Sequence, residues 1–114
     1  MPIQRNRYID EPLNEGVMQY GTTEIIRDAR KKETGRTFSP IGKLWFNYRE
    51  ISDFDINLYQ GLNTSESLKI KTYYIPSVEQ GLKVQINETT YDITGTNADD
   101  DRKYRYWVLT RVKL

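Results

Sequence analysis

Apolar and polar residues alternate along much of the chain, with the period of two that is typical of β-strands burying one face. Leu82, Val84 and Ile86 alternate with polar residues, and Tyr91 and Ile93 do so again a few positions later. The intervening pair Asn87-Glu88 predicts a tight hairpin, because Asn tolerates a positive φ. The whole pattern predicts six strands, at residues 17–27, 41–51, 68–75, 82–87, 90–94 and 104–112.

The segments between these strands are polar or irregular. Residues 31–36 (KKETGR) and 95–102 (GTNADDDR) predict a hairpin turn and a polar loop, and Gly21 predicts a bulge inside the first strand. Residues 52–61 fit two readings equally well. Ser52 or Asp53 could cap a short helix that ends at Gly61, or the segment could be an extended loop.

These elements predict an all-β, mostly antiparallel fold: a small six-stranded barrel or sandwich with at most one short helix and long excursions. The length of 114 residues suits a single domain. Residues 1–16 show neither period, so we expect an N-terminal arm there and one β-barrel domain over residues 17–114. A closed barrel would remove the exposed edges that so short a meander otherwise leaves.

Two strands carry large apolar side chains on both faces, around Trp45 and around Trp107. A small barrel buries only its inward face, so outward apolar side chains need another cover. We expect that cover to be an identical or partner subunit.

Composition narrows the possible chemistry. The chain has neither cysteine nor histidine, which removes thiol nucleophiles, imidazole bases and the usual zinc ligands, and we expect no cofactor and no enzymatic activity. The formal net charge is only +1, and the sequence shows neither a membrane span nor a secretion signal. We therefore expect a protein that is soluble and not exported, without a membrane partner.

The conspicuous carboxylates have simple structural readings. Asp99, Asp100 and Asp101 lack the spacing of a calcium loop and are typical of a solvated hairpin tip. Asp53 and Asp55 fit a helix cap and a surface charge better than an acid/base pair.

A nucleic-acid surface is the competing functional reading. Tyr104, Tyr106 and Trp107 alternate with cationic residues, and aromatic faces stack on bases while cations follow phosphates. The same strand also fits a central strand covered on both sides, which we prefer.

In this order the segments resemble the head-tail joining (head closure, or stopper) proteins of long-tailed bacteriophages. The resemblance covers about residues 17–112 and rests on the order and spacing of segments, without one invariant signature. It runs from an N-terminal strand and a glycine-bearing turn to a Trp-containing strand, KLWFNYREI. A variable excursion, SDFDINLYQGLNTSES, and the strand LKIKTYYI follow. The hairpin LKVQINETTYDITG and the closing segment DDDRKYRYWVLTRV complete it.

The resemblance implies a structural subunit of the virion neck, made in the host bacterial cytoplasm. Such subunits form a homo-oligomeric ring below the portal and its adaptor, retain the packaged DNA without sequence-specific binding, and dock the tail.

The resemblance also implies two sets of functional residues. The candidates for a channel loop within residues 53–64 are Asp53, Phe54, Asp55, Leu58, Tyr59 and Gln60. The N-terminal arm and the hairpin tip at residues 30–36 are the candidates for contacts to neighbouring rings. In the tip these candidates are Arg30, Lys31, Lys32 and Arg36. Two alternatives stay open: a tail terminator or minor tail ring protein, and an oligonucleotide-binding β-barrel.

Overall fold

The fold is a closed antiparallel barrel of six strands. The structure, a computed structural model, describes residues 11–112, with residues 33 and 34 described by their backbone alone. The strands are β1 (Gly16–Arg27), β2 (Glu33–Arg49), β3 (Ser67–Tyr73), β4 (Lys83–Ile86), β5 (Thr89–Ala98) and β6 (Tyr104–Arg111). They close in the order β1-β2-β3-β6-β5-β4, and each neighbouring pair is antiparallel. The predicted fold class is confirmed, as a barrel.

One short helix, α1 (Asp53–Leu58), and a 3-10 turn (Thr64–Glu66) lie between β2 and β3. Ser52 caps α1, since its side chain accepts a hydrogen bond from the backbone N–H of Asp55, while the Asp55 carboxylate accepts one from the backbone N–H of Ser52. This reciprocal capping box satisfies two N–H groups that a helix start leaves open. Of the two readings of this segment, the helical one is correct, but the helix ends at Leu58 with Tyr59 as its C-cap and does not reach Gly61.

The barrel interior holds a single cluster of buried side chains, centred on Trp107, which is 0% exposed. Its other members are Met18, Phe46, Ile70, Val84, Ile86 and Leu109. The indole N–H of Trp107 donates to the Thr72 hydroxyl on the neighbouring strand β3, at 2.8 Å. Both groups are fully buried, so this bond satisfies a donor that water cannot reach.

The β1–β2 hairpin is longer than predicted, and its turn lies at residues 28–32 instead of 31–36. Asp28 organises this turn, because its carboxylate accepts hydrogen bonds from the backbone N–H groups of Arg30 (2.8 Å) and Lys32 (2.9 Å). Lys31 takes the left-handed conformation, with φ of 64°. The turn is therefore set by Asp28 and its two local hydrogen bonds, and not by Gly35 as predicted. Gly35 lies within β2, opposite Ile26.

A bulge occurs opposite Gly21, but it lies in β2 and not in the first strand as predicted. The register between β1 and β2 shifts there, so that Tyr20 pairs with Gly42 and Gly21 with Pro40, leaving Ile41 as the extra residue. A Cβ at Gly21 would lie 2.1 Å from the carbonyl oxygen of Ser39. The close approach of the two backbones therefore requires glycine.

The β4–β5 hairpin is also confirmed, with φ of 48° at Asn87 and 69° at Glu88. Two consecutive left-handed residues match the twist of the flanking strands. The predicted loop at 95–102 is too long, since β5 continues to Ala98 and the loop begins at Asp99. The Asp99 carboxylate accepts backbone N–H bonds from Lys103 and Tyr104, which gives this acid the structural role of closing the loop.

The buried Trp107–Thr72 bond leads to a first prediction. Thr72→Val should lower the free energy of unfolding by about 1–3 kcal/mol, because it leaves the buried indole N–H without an acceptor. Thr72→Ser keeps the hydroxyl and is the matched control. Urea unfolding followed by tryptophan fluorescence measures both variants, and a Thr72→Val protein as stable as wild type would contradict the assignment.

Candidate interaction surface

Residues 11–15, here called the strap, lie across the outer face of the barrel. Asn47 on β2 holds them through four hydrogen bonds. Its amide nitrogen donates to the Glu11 carboxylate (2.7 Å) and to the Pro12 carbonyl (2.9 Å), and its oxygen accepts from the backbone N–H groups of Asn14 (2.9 Å) and Glu15 (3.2 Å). Leu13, between them, is buried. This part of the predicted arm therefore packs on its own barrel, while residues 1–10 lie outside the described residues.

Glu11 is the charged centre of the strap. Its carboxylate accepts from Lys71 at 3.0 Å and pairs with Arg49, while its backbone N–H donates to the Tyr104 hydroxyl at 2.8 Å. Burial alone would raise the pKa of Glu11, but the hydrogen bonds from Asn47, Lys71 and Arg49 outweigh it and lower the pKa to about 2. The Lys71 ammonium lies 4.1 Å from the centre of the Tyr104 ring, so the cation has an aromatic face as well as an anion.

The excursion between β2 and β3 is a second cover on the outer face. The buried Asp55 carboxylate accepts from the Lys69 ammonium on β3 at 2.9 Å and from the Ser52 hydroxyl, also at 2.9 Å. Burial acts to raise the pKa of Asp55, and the bonds from Ser52 and Lys69 reverse this and lower it. Tyr59 packs onto β5, where a Cβ added to Gly95 would lie 2.1 Å from the Tyr59 hydroxyl oxygen.

The predicted channel-loop residues therefore divide into two groups. Asp55 and Tyr59, four positions apart, face the barrel and hold the excursion in place. Phe54 and Leu58, also four apart, face solvent and are 72% and 57% exposed. Asp53 and Gln60 are exposed too. The capping box and the Lys69 ion pair turn Asp55 inward, so the apolar pair lies on the exposed face of this helix.

The predicted tip residues are less clustered than their sequence positions indicated. Arg30, Lys31 and Lys32 are exposed in the 28–32 turn. Arg36 is also exposed but lies further along β2, opposite Ile25 of β1. The four cations are therefore spread along the end of the β1–β2 hairpin and are not all in its turn.

An exposed apolar patch remains on the outer face of β1, β2 and β3, and we call its three members, Val17, Trp45 and Tyr73, the outer patch. Val17 and Trp45 are direct cross-strand neighbours, and Trp45 is 53% exposed. The pairing of Phe46 with Thr72 brings their sequence neighbours Trp45 and Tyr73 to adjacent strands on the outward side. Tyr73 in turn stacks on Tyr104, with ring centres 6.0 Å apart. The strap and the excursion leave this patch uncovered.

The two tryptophans therefore have different surroundings. Trp45 is exposed, so an external cover over its strand stays a prediction, whereas the same expectation is wrong for Trp107. The indole of Trp107 fills the core, and on the outward side of β6 Tyr104 and Val108 are buried within the same chain. Residues 11–15 provide part of that cover, as the bond from Glu11 to the Tyr104 hydroxyl shows.

The nucleic-acid reading of β6 loses its basis in this arrangement. Trp107 points into the core, and Arg105 is buried, with its guanidinium donating to the Ile75 carbonyl (3.1 Å) and the Thr96 hydroxyl (3.3 Å). Tyr104 lies under the strap. Stacking on bases needs exposed aromatic faces, and of the three residues that suggested it only Tyr106 is partly exposed, so they do not form a continuous stacking surface.

No group of three or more potential metal ligands gathers around a common point within residues 11–112. A groove of about 340 Å³ lies between the β1–β2 hairpin and β4–β5, and Glu88 is the single carboxylate among its lining residues. A carboxylate-dependent hydrolase needs two acids, which this groove does not supply. Over the same residues, no helix is long and apolar enough to cross a membrane.

Comparison with known proteins adds information on the fold. No family model matches the chain, and no curated protein matches it. Among solved structures it is similar to protein SF1141 from Shigella flexneri 2a, determined in solution, with a TM-score of 0.61 and 12% identity. The match covers 90% of this chain and 96% of the other. At this identity the likeness shows a shared fold alone.

Sequence reasoning missed the strap and its anchors. Asn47 interrupts the apolar run of β2, and Lys71 interrupts β3, so each looked like an ordinary solvated position. The one local signal was that Asn47 is the single polar uncharged residue between Leu44 and Tyr48. Its partner could not be found from the sequence, since Glu11 lies 36 positions away.

The strap predicts an acid dependence of stability. A carboxyl group whose pKa is lowered on folding stabilises the folded state above its ordinary pKa, near 4.5 for Glu11, and this contribution is lost as the pH falls toward about 2. Glu11→Gln should therefore reduce the stability difference between neutral and acid pH. Urea unfolding across that window measures it.

Asp55→Asn is the matched control for the acid experiment, because the pKa of Asp55 is lowered as well and its titration must be separated from that of Glu11. NMR titration of the Glu11 carboxyl gives the pKa directly. A midpoint near 4.5 would contradict the strap assignment.

The Tyr59–Gly95 contact gives a third prediction. Gly95→Ala should push Tyr59 away from β5, lower the free energy of unfolding by about 1–3 kcal/mol and speed proteolysis within residues 53–64. Gly35→Ala is the control, since a Cβ there meets nothing within 4 Å. Equal behaviour of the two variants in limited proteolysis and urea unfolding would show that the excursion is not held by this contact.

Proposed function

We propose that this protein is a structural subunit of the neck of a long-tailed phage virion, forming a ring that joins the DNA-filled head to the tail. The observation that supports it best is the outer patch. Trp45 is half-exposed on a rigid barrel strand, beside Val17 and Tyr73, although the chain has two segments that cover other parts of the same face. An uncovered aromatic patch on a small, rigid scaffold is typical of a protein interface.

The resemblance in segment order supports the same proposal. In this reading the subunit makes homotypic contacts in the ring, with the portal or adaptor on one side and tail proteins on the other. Packaged DNA lies near without sequence-specific contacts. The segment from Glu50 to Glu66 contains acids and no basic residue, which suits a surface that repels phosphates.

The mechanism in this proposal is assembly without turnover. Each ring contact buries little surface by itself, but a ring presents every contact as many times as it has subunits. Once one contact forms, the others act at high effective concentration, so modest affinities combine into a stable joint. A rigid barrel suits this role, because the contact residues are held in place before assembly and little conformational entropy is lost.

The experiment places Trp45→Ala in the phage genome that carries the gene and counts infectious particles. We expect the titre to fall by about tenfold or more, with DNA-filled heads that leak or lack tails visible by electron microscopy. The isolated variant should keep its thermal stability, because Trp45 is not part of the core.

Ile41→Ala is the matched control, since Ile41 is an exposed apolar residue of the same strand outside the outer patch. We expect it to leave the titre unchanged. Normal virions with Trp45→Ala and with Trp45→Lys would overturn the proposal.

A further inference from the structure

The β1–β2 hairpin extends beyond the barrel as a two-stranded ribbon. β4 pairs with β1 only at Gln19–Gly21, and β3 pairs with β2 only at Phe46–Arg49. Beyond these positions the two strands pair with each other up to Arg27 and Glu33. A two-stranded ribbon with no third strand is marginally stable in water by itself, so a ribbon of this length indicates a partner.

The ribbon carries the features of an interaction element. Ile25 and Ile26 are 45% and 46% exposed, and as consecutive strand residues they place an apolar side chain on each face. Residues 27–36 contain five basic and two acidic residues, and one of those acids, Asp28, is engaged with its own turn. The end of the ribbon is therefore apolar and strongly basic.

The opposite end of β2 leads to a surface with the complementary character. Phe54 and Leu58 on α1 are exposed, and residues 50–66 contain four acids and no base. Asp55 is paired with Lys69, which leaves Glu50, Asp53 and Glu66 as the other acids of this segment. The segment of residues 50–66 is therefore apolar and acidic.

One chain cannot bring these two surfaces together. They lie at the two ends of β2, a strand of 17 residues, which at about 3.3 Å per residue separates them by roughly 50 Å. A second copy of the chain supplies the missing partner for each. Two different complementary surfaces on one chain make a head-to-tail contact, and such contacts form a ring when the rotation from one copy to the next closes.

We infer that the ribbon of one copy docks on α1 of the next, with Ile25 and Ile26 against Phe54 and Leu58 and the basic tip against the surrounding acids. This inference rests on the proposed ring and deepens it by naming the contact between neighbouring subunits. The charges set the direction and register of the contact, and the apolar side chains supply the buried surface.

The absence of cysteine from the sequence makes a cross-linking test direct. Ile25→Cys and Phe54→Cys variants of the full chain are mixed and oxidised with diamide, and the heterodimer is measured by mass spectrometry. We expect its yield to exceed that of the control pair, Ile25→Cys with Glu79→Cys, by about tenfold. The double variant Ile25→Cys/Phe54→Cys should give a ladder of oligomers, in solution and in assembled particles.

Charge exchange tests the direction of the contact. Arg30→Glu/Lys32→Glu should lower the cross-link yield, and so should Glu50→Lys/Glu66→Lys in the partner, while mixing the two restores it. Glu79→Lys/Asp100→Lys, which reverses exposed acids elsewhere, is the control and should have no effect. Raising salt from about 50 mM to about 500 mM shortens the Debye length roughly threefold and should weaken the wild-type contact.

The outcomes separate this contact from the proposed function. The contact would be overturned if the Ile25→Cys and Phe54→Cys variants cross-linked no better than the control pair, both in solution and in particles. It would also be overturned if the charge reversals did not rescue each other. In either case Trp45→Ala would still test the neck role independently. A ladder with charge rescue establishes the contact, even if particle assembly proves insensitive to Trp45.

Discussion

A barrel of six short strands has room for one cluster of buried side chains, and this limit shapes the rest of the molecule. The interior is filled by Trp107 and six smaller neighbours. The outer faces of β2, β3 and β6 also carry apolar and aromatic groups, so a protein of this size needs further cover. It obtains part of that cover from its own strap and excursion, which turn a single layer of strands into a layered domain.

Both covers attach to the same strand by the same chemistry. Lys69 and Lys71 occupy successive outward positions of β3, and each meets one carboxylate, Asp55 from the excursion and Glu11 from the strap. An acid-lysine pair of this kind has little value at a fully exposed site, but partial burial and additional hydrogen bonds strengthen it. The lowered pKa of each acid is the sign that the folded protein prefers its charged form. β3 is thus both a wall of the barrel and the attachment site for its covers.

The sequence was sufficient for what depends on local pattern. Alternation located the strands, Asn87 located one hairpin and Gly21 located the bulge, because each follows from the conformational preferences of one or two residues. The sequence was not sufficient where contacts between residues far apart in the chain decide which side chains are buried. The sequence did not show which face of α1 is buried, because that face is set by the ion pair of Asp55 with Lys69, 14 positions away. Apolar residues on both sides of Trp107 looked like a sign of a partner subunit, whereas the chain covers that strand itself.

The ribbon also bears on the behaviour of the free subunit. Its two strands have unpaired backbone groups along their outer edges, and exposed isoleucines nearby would favour strand addition between molecules. Five cations within ten residues oppose such stacking, because identical ribbons brought together edge to edge repel each other. Charges placed in this way are typical of gatekeeper residues, which oppose amyloid-like association of exposed strands.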